Sequence, residues 1–296
     1  MEEQAINKAI LDEVGPWTLL KHDIVQYYAE TYSNVIEAHR KKNAAFHLER
    51  FYIDGYASAG HTIDKTTKKI VEGSALRVLN HVTPPFQSYF FVEKDHKRFE
   101  ALEKACAGRS EVQLFEGDAN DVLPRDVFPR VRHAERERAF CLLDPYHEAD
   151  LSWNTVKAAA DTGAIDVLIH FPIYSMNINV FRRAGPKDEE RVNLYWGDSS
   201  WKTIAYEEDF QPNFLGEEWR NKVDNATIVN AYLKRLVDVA GFKGTSPPIP
   251  MRNRPGNVIY YLIFASCNAP TGVRVVNDVA SHFIKLNEPK KPRKRK

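Results

Sequence analysis

Four apolar runs in the first half of the chain each end in an acid. Phe51–Ile53 runs into Asp54, Ser88–Val92 into Glu93, Glu111–Phe115 into Glu116-Gly117-Asp118, and Ala139–Leu143 into Asp144. Short runs that are apolar, aromatic or β-branched at successive positions are strands buried on both faces. Helix-like stretches alternate with them, which argues a parallel sheet with helices on both sides. The expected fold is α/β, a Rossmann-like, mostly parallel sheet with an inserted or appended helical region. In such a sheet the strand ends lie on one edge, outside which ligands bind.

The first of these ends carries the most information. After Asp54 come Gly55, Ala57, Ser58, Ala59 and Gly60, a loop of nearly bare backbone that lets a ligand approach the main chain. Taken alone this is equally an ordinary strand-to-helix turn. A helix is expected over about Leu19–His39, capped by Thr18, with Leu20, Ile24, Tyr28, Tyr32 and Val35 facing the sheet. Lys21 and His22 sit in its first turn, where positive charge opposes the helix dipole; the misfit would suit residues that point at a ligand, but solvent exposure is the expectation for both. The polar stretch His61–Glu72 has the composition of a mobile loop over the proposed site, and Ser74 is the expected cap of the helix that follows. A fifth strand covers Ile165–Phe171. Residues 173–224 show no readable pattern. A helix then runs over Ala226–Ala240 with Ile228, Tyr232, Leu236 and Val239 on one face and Gly241 as its C-cap. Val258–Phe264 is the last strong strand, and a helix near Val275–Phe283 follows. The economical division is a core over 1–172, a helical insertion over 173–250, a strand and helix completing the core over 251–286, and a basic tail over 287–296.

Composition narrows the class. With 43% hydrophobic and 27% charged residues the chain has the balance of a soluble globular protein. No apolar run approaches the roughly 18 residues of a membrane span, and the acidic start at Met1–Gln4 is unlike a signal peptide, so a cytoplasmic protein without a membrane partner is expected. Cys106, Cys141 and Cys267 stand far apart and predict no disulfide framework, and the ten histidines have no zinc-ligand spacing, so no metal is expected. Six of the seven residues Lys290–Lys296 are basic. Such a tail is a disordered, solvated end or a handle for the phosphates of a nucleic acid.

Four carboxylates on one rim would repel unless spread along a ligand with several donors. S-adenosylmethionine is such a ligand: its ammonium suits an acid near the first strand, its ribose hydroxyls an acid ending the second, its adenine amine an acid ending the third. The helix beginning at Ser74 would receive its carboxylate. A dinucleotide fits less well, because the loop lacks the GxGxxG spacing and the next acid comes far later than the usual 20 or so residues. The plain alternative is that Asp is a good turn and cap residue.

Trp17-Thr18 with Lys21–Val25, Tyr52–Gly60, Glu72–Ala75, Phe91–Asp95, Glu116–Asn120, Leu143–Tyr146 and Asp166–Ile169 together resemble the three-Cys-motif partner protein (TcmP) family, which is similar to class I S-adenosylmethionine-dependent methyltransferases. The resemblance runs over about residues 17–183 and more loosely over 258–264, and the cysteines of the family's name belong to its partner. It implies that Asp54, Gly55, Ala57 and Gly60 form the first cofactor loop, that Glu93 holds the ribose, and that Asp118 with Ala119 contacts the adenine. Asp144-Pro145-Tyr146 falls where methyltransferases acting on base amines carry [DNS]-P-P-[YFW]. There a carboxylate or carbonyl accepts the hydrogens of a poorly nucleophilic amine and the aromatic stacks on an extruded base. This chain has one proline, and His147 follows Tyr146, which leaves open whether the tyrosine stacks on a base or packs at a turn. The expected function is methyl transfer to an amino group of a nucleic-acid base. The alternative is a non-catalytic, cofactor-binding partner subunit of a three-Cys-motif protein, and an acidic rim also suits a metal-dependent nuclease.

Overall fold

Asp54 and Asp144 close neighbouring strands. The computed structural model describes residues 8–42, 47–181, 186–206, 211–212, 218–219, 222–253, 255–268 and 271–286. Its main sheet has eight strands: β1 (Glu49–Asp54), β2 (Ser88–Glu93), β3 (Val112–Glu116), β4 (Glu137–Leu143), β5 (Ile165–Phe171), β6 (Gly244–Thr245), β7 (Ile249–Arg252) and β8 (Val258–Ser266). The order runs β6-β8-β5-β4-β1-β2-β3, with β7 also on β8. Strands β1 to β5 are parallel to their neighbours, whereas β8 is antiparallel to β5, pairing Tyr261 with Phe171 and Ala265 with Val167. From β1 the chain moves outward to β2 and β3, then returns to the other side of β1 as β4. That reversal is a topological switch point, the place where open α/β sheets bind ligands.

The unbroken apolar runs follow from burial on both faces. Phe51 and Ile53 pack with Phe90, Ala139 and Cys141 on one side, while Tyr52 packs with Phe91, Phe140 and Leu142 on the other. The second side is covered by α1 (Pro16–Lys42), α2 (Ser74–His81), α3 (His96–Ala105) and the closing helix α7 (Thr271–Leu286). The first is covered by α4 (Trp153–Asp161) and by the helices after β5, among them α5 (Pro186–Trp196) and α6 (Asn225–Arg235). Tyr232 of α6 anchors this region, with its ring 4.9 Å from Phe171, 5.4 Å from both Tyr195 and Trp196, and 5.8 Å from Trp153.

Several expectations are corrected. Helix α1 begins at Pro16, so Thr18 lies within its first turn rather than capping it; proline suits that position because its missing N–H is unneeded there. His61–Glu72 is not a loop: His61–Asp64 and Ile70–Glu72 form a hairpin, joined on its outer edge by Glu13–Val14 in parallel. Helix α6 passes at Leu236 into a π-turn that ends at Gly241 (φ 97°), and the wider turn leaves Val239 exposed while Leu236 is buried. The basic tail lies outside the described residues. Among the described residues no helix is long and apolar enough to cross a membrane.

Candidate functional site

The loop after β1 is held from both sides. Asp54 is fully buried; its Oδ1 accepts from the Tyr56 amide at 3.1 Å, and its Oδ2 from the Ser74 hydroxyl at 2.6 Å and the Tyr52 hydroxyl at 3.3 Å. Burial pushes its carboxyl up to about 6. Ser74 therefore ties α2 to Asp54 instead of capping its own helix, a correction to the expected cap; the N-cap is Gly73, without a side-chain bond. The Gly55 amide donates to Leu142 of β4 at 3.0 Å, the Ala57 amide to Val92 of β2 at 2.9 Å, and the Gly73 amide to Gly60 at 2.7 Å. Gly60 has φ 75°, and a Cβ there would stand 2.9 Å from Leu76. The sequence needs glycine at that point for both conformation and room.

Above this loop lies a cleft of about 320 Å³, walled by the start of α1, the hairpin, and the tips of β4 and β5. Asp144 faces it, paired with the Lys21 ammonium; their side chains are only 18% and 12% exposed. Burial is the largest influence and would raise the Asp144 carboxyl, but the charge and hydrogen bond of Lys21, together with the flanking imidazoles, outweigh it and hold the group below the usual carboxylate range. Two imidazoles flank the pair. Burial drives His22 down to about 3 and His170 down to about 4, so both are neutral at pH 7. The His170 ring meets Tyr260 edge-on at 4.3 Å. Of the nine buried side-chain polar atoms without a partner among the described residues, four belong to residues lining this cleft: His22 Nδ1, Ser58 Oγ, Thr62 Oγ1 and His170 Nδ1. Buried polar atoms are nearly always bonded, so such a concentration marks where a ligand would complete the set.

At the mouth of the cleft, the Tyr146 hydroxyl donates to Asp12 at 2.6 Å and accepts from Arg98 Nη1 at 2.6 Å, while Arg98 Nη2 reaches Asp12 at 2.8 Å. The Arg98 guanidinium also lies 5.4 Å from the Tyr146 ring centroid. This bridge straps the segment before α1 across to α3. Farther along the same edge, Glu93 is buried and accepts from the Asp95 amide at 2.8 Å, and burial raises its carboxyl. Asp118 accepts from the Asn120 amide at 2.8 Å and caps the turn Ala119–Val122, in which Ala119 is buried.

The sequence-predicted residues thus share one sheet edge but not one lining. Ala57, Gly60, Asp144, Pro145 and Tyr146 line the cleft. Asp54, Gly55, Glu93, Asp118 and Ala119 stand outside that lining, with Asp54 scaffolding the loop. Sequence reasoning set Lys21 and His22 in solvent, which the structure overturns, and missed His170, Tyr260 and Thr62. A signal for the first two existed: Lys21 stands three residues before Ile24 and four before Val25, and His22 three before Val25, so they extend the buried face of α1 by one turn. Among the described residues no three His, Cys, Asp or Glu side chains gather as a metal site.

No family model matches the chain, and no curated protein matches it. Solved structures give slight likenesses. A protein from Legionella pneumophila strain Philadelphia 1 is 10% identical, covering 89% of this chain and 94% of its own, with a TM-score of 0.47. The fibrillarin pre-rRNA processing protein of Methanococcus jannaschii is 12% identical over 74% of this chain and 66% of its own, with a TM-score of 0.37. The N-terminal domain of EvdMO1 with SAH bound is 14% identical over 80% and 81%, with a TM-score of 0.38. At such scores none of these bears on what the chain does, and its α/β class rests on its own strand order.

Proposed function

We propose that the cleft binds S-adenosylmethionine and that the chain is a methyltransferase of that cofactor class, acting on an exocyclic amine of a nucleic-acid base. The observation that carries this reading is the gathering of four unpartnered polar atoms around an opposed carboxylate and ammonium at the switch point of the sheet. The donor set suits the cofactor. Lys21 and the amino end of α2 match its carboxylate, the Ser58 and Thr62 hydroxyls and the bare loop match its ammonium, and Glu93 and Asp118 stand next along the edge for ribose and adenine. When bound, the cofactor supplies a methyl group on a sulfonium. Neutral His22 and His170 add no positive charge to repel it. Asp144, released from Lys21, would accept a hydrogen of the substrate amine and aim its lone pair, so that catalysis is mostly alignment. Tyr146 would exchange Arg98 for the face of the base.

A second reading follows from a specific observation: Asp144 and Tyr146 are already satisfied by Lys21, Asp12 and Arg98. A cofactor-binding partner subunit of a three-Cys-motif protein would need nothing more of them. Calorimetry with S-adenosylmethionine, combined with methyl-transfer assays on total DNA and RNA, separates the two. We expect binding, its loss in Asp54→Ala as the loop comes free, and transfer that Asp144→Ala, which removes the acceptor, abolishes while cofactor affinity stays within a few-fold. Binding without transfer supports the partner subunit, and absence of binding overturns both.

A further inference from the structure

The opposite edge of the sheet holds a second cavity, which no part of the methyl-transfer reading uses. It measures about 240 Å³ and lies among the second half of α1, the start of α7 and the amino ends of β4 and β5. Tyr28, Tyr32, Ile36 and Val275 give it aromatic and aliphatic walls. Of its polar groups, Asp166 and Tyr32 are deeply set, while His39 and Thr271 stand exposed at its rim. Asp166 is 2% exposed, and its three hydrogen bonds converge on one oxygen: Ser266 Oγ and the Cys267 amide at 2.9 Å and Asn268 Nδ2 at 3.3 Å all reach Oδ1. Oδ2 takes no hydrogen bond from a described residue. Tyr32 is 6% exposed, and its hydroxyl has no partner among the described residues. Arg138 also lines the cavity, its Nη atoms bound to the His133 and Glu137 carbonyls and to the His133 ring while its Nε makes no such bond.

A spare carboxylate oxygen and an orphan hydroxyl are costly to leave unpaired at such depth, and the half-buried Arg138 guanidinium stands beside them. Pure packing would have placed apolar side chains there, and burial already pushes the Asp166 carboxyl up to about 6 against the pull of its donors and of Arg138. The volume exceeds the roughly 150 Å³ that suffices for a benzene ring. An acceptor set beside two donors is the complement of a cyclic amide, and tyrosine walls suit a flat ring.

We propose that this cavity binds a small planar heteroaromatic containing a cyclic amide, whose N–H is donated to Asp166 Oδ2 and whose carbonyl accepts from the Tyr32 hydroxyl and the Arg138 guanidinium. The site shares no lining residue with the cleft at the other edge.

The test uses the full chain with uracil, 2-pyridone and toluene as probes, followed by titration calorimetry and ligand-observed NMR. Uracil or 2-pyridone should bind saturably, with toluene at least about tenfold weaker, and Asp166→Asn should weaken the amides by about tenfold or more. Val275→Trp, which fills the cavity without touching a polar group, should abolish binding, while Asp144→Asn should leave it unchanged. Toluene binding as well as the amides, or amide affinity that ignores Asp166→Asn, overturns the proposal. So does saturation by no probe below about 10 mM in a protein that unfolds at its normal midpoint, which would mean that the cavity holds water only. If Asp166→Asn does not fold, Tyr32→Phe and Val275→Trp decide: weakened amide binding in either supports the site, and unchanged binding in both overturns it.

Discussion

Lys21 and Asp144 are the most consequential pair of residues in the chain. One comes from the second turn of α1 and the other from the tip of β4, and they meet where the strand order reverses. A poorly exposed ion pair contributes little net stability, but removing one partner strands a charge. Lys21→Ala should therefore lower the unfolding free energy by about 2 kcal/mol, less than for a fully buried pair because some exposure remains. Adding Asp144→Asn should restore more than half of that loss. Urea unfolding of both variants checks this, and a double variant no more stable than Lys21→Ala would count against it. The helix dipole gave the wrong expectation for Lys21 because it weighs only the helix's own backbone, whereas the nearby carboxylate of Asp144 is the stronger influence.

The elements differ in how far they could be read before they packed. Strands β1, β2, β4 and β5 stand out as runs because helices cover both of their faces. The hairpin at His61–Glu72 does not, since its strands are short, polar and half-exposed, and its third strand comes from Glu13–Val14 far upstream. The stretch after β5 hid its aromatic anchors for another reason: Phe181, Tyr195, Trp196, Trp201 and Tyr232 lie on several short helices and converge only in space. The cleft was legible where its residues are sequence neighbours, as in the Asp54–Gly60 loop and Asp144–Tyr146. It was illegible where packing imports them, as with His170 and Tyr260. Because those aromatics share one core with β4 and β5, the helices after β5 should unfold with the sheet. Trp196→Ala should cost about 3–5 kcal/mol, with fluorescence and circular dichroism reporting one coincident transition; two separated transitions would show a region that folds by itself.

At the scale of the whole molecule, three buried groups and the partly buried His170 set opposing acid responses. Asp54 and Asp166 both have carboxyls raised to about 6, so the folded chain holds protons that the unfolded chain has released, and their contribution to stability falls as pH rises from about 4 to about 6. His22 and His170, lowered to about 3 and about 4, do the reverse: below about 6.5 the unfolded chain takes up protons that the fold refuses, and stability is lost as pH falls. Two groups thus oppose two over much of the same range, each with a limiting slope of about 1.4 kcal/mol per pH unit. Asp166→Asn should steepen the loss of stability between pH 6 and pH 4 relative to the parent, and His22→Gln should reduce it, as read from urea midpoints at several pH values; profiles parallel to the parent would refute the assignment. Helix α1 links these regions mechanically. Its 27 residues form a rod about 40 Å long, with Lys21 and His22 near one end and Tyr32 and His39 toward the other. Any guest that levers this rod away from the sheet at one end must reshape the wall at the far end. A second guest there would feel the change and return it in equal measure, since linkage between binding sites runs both ways.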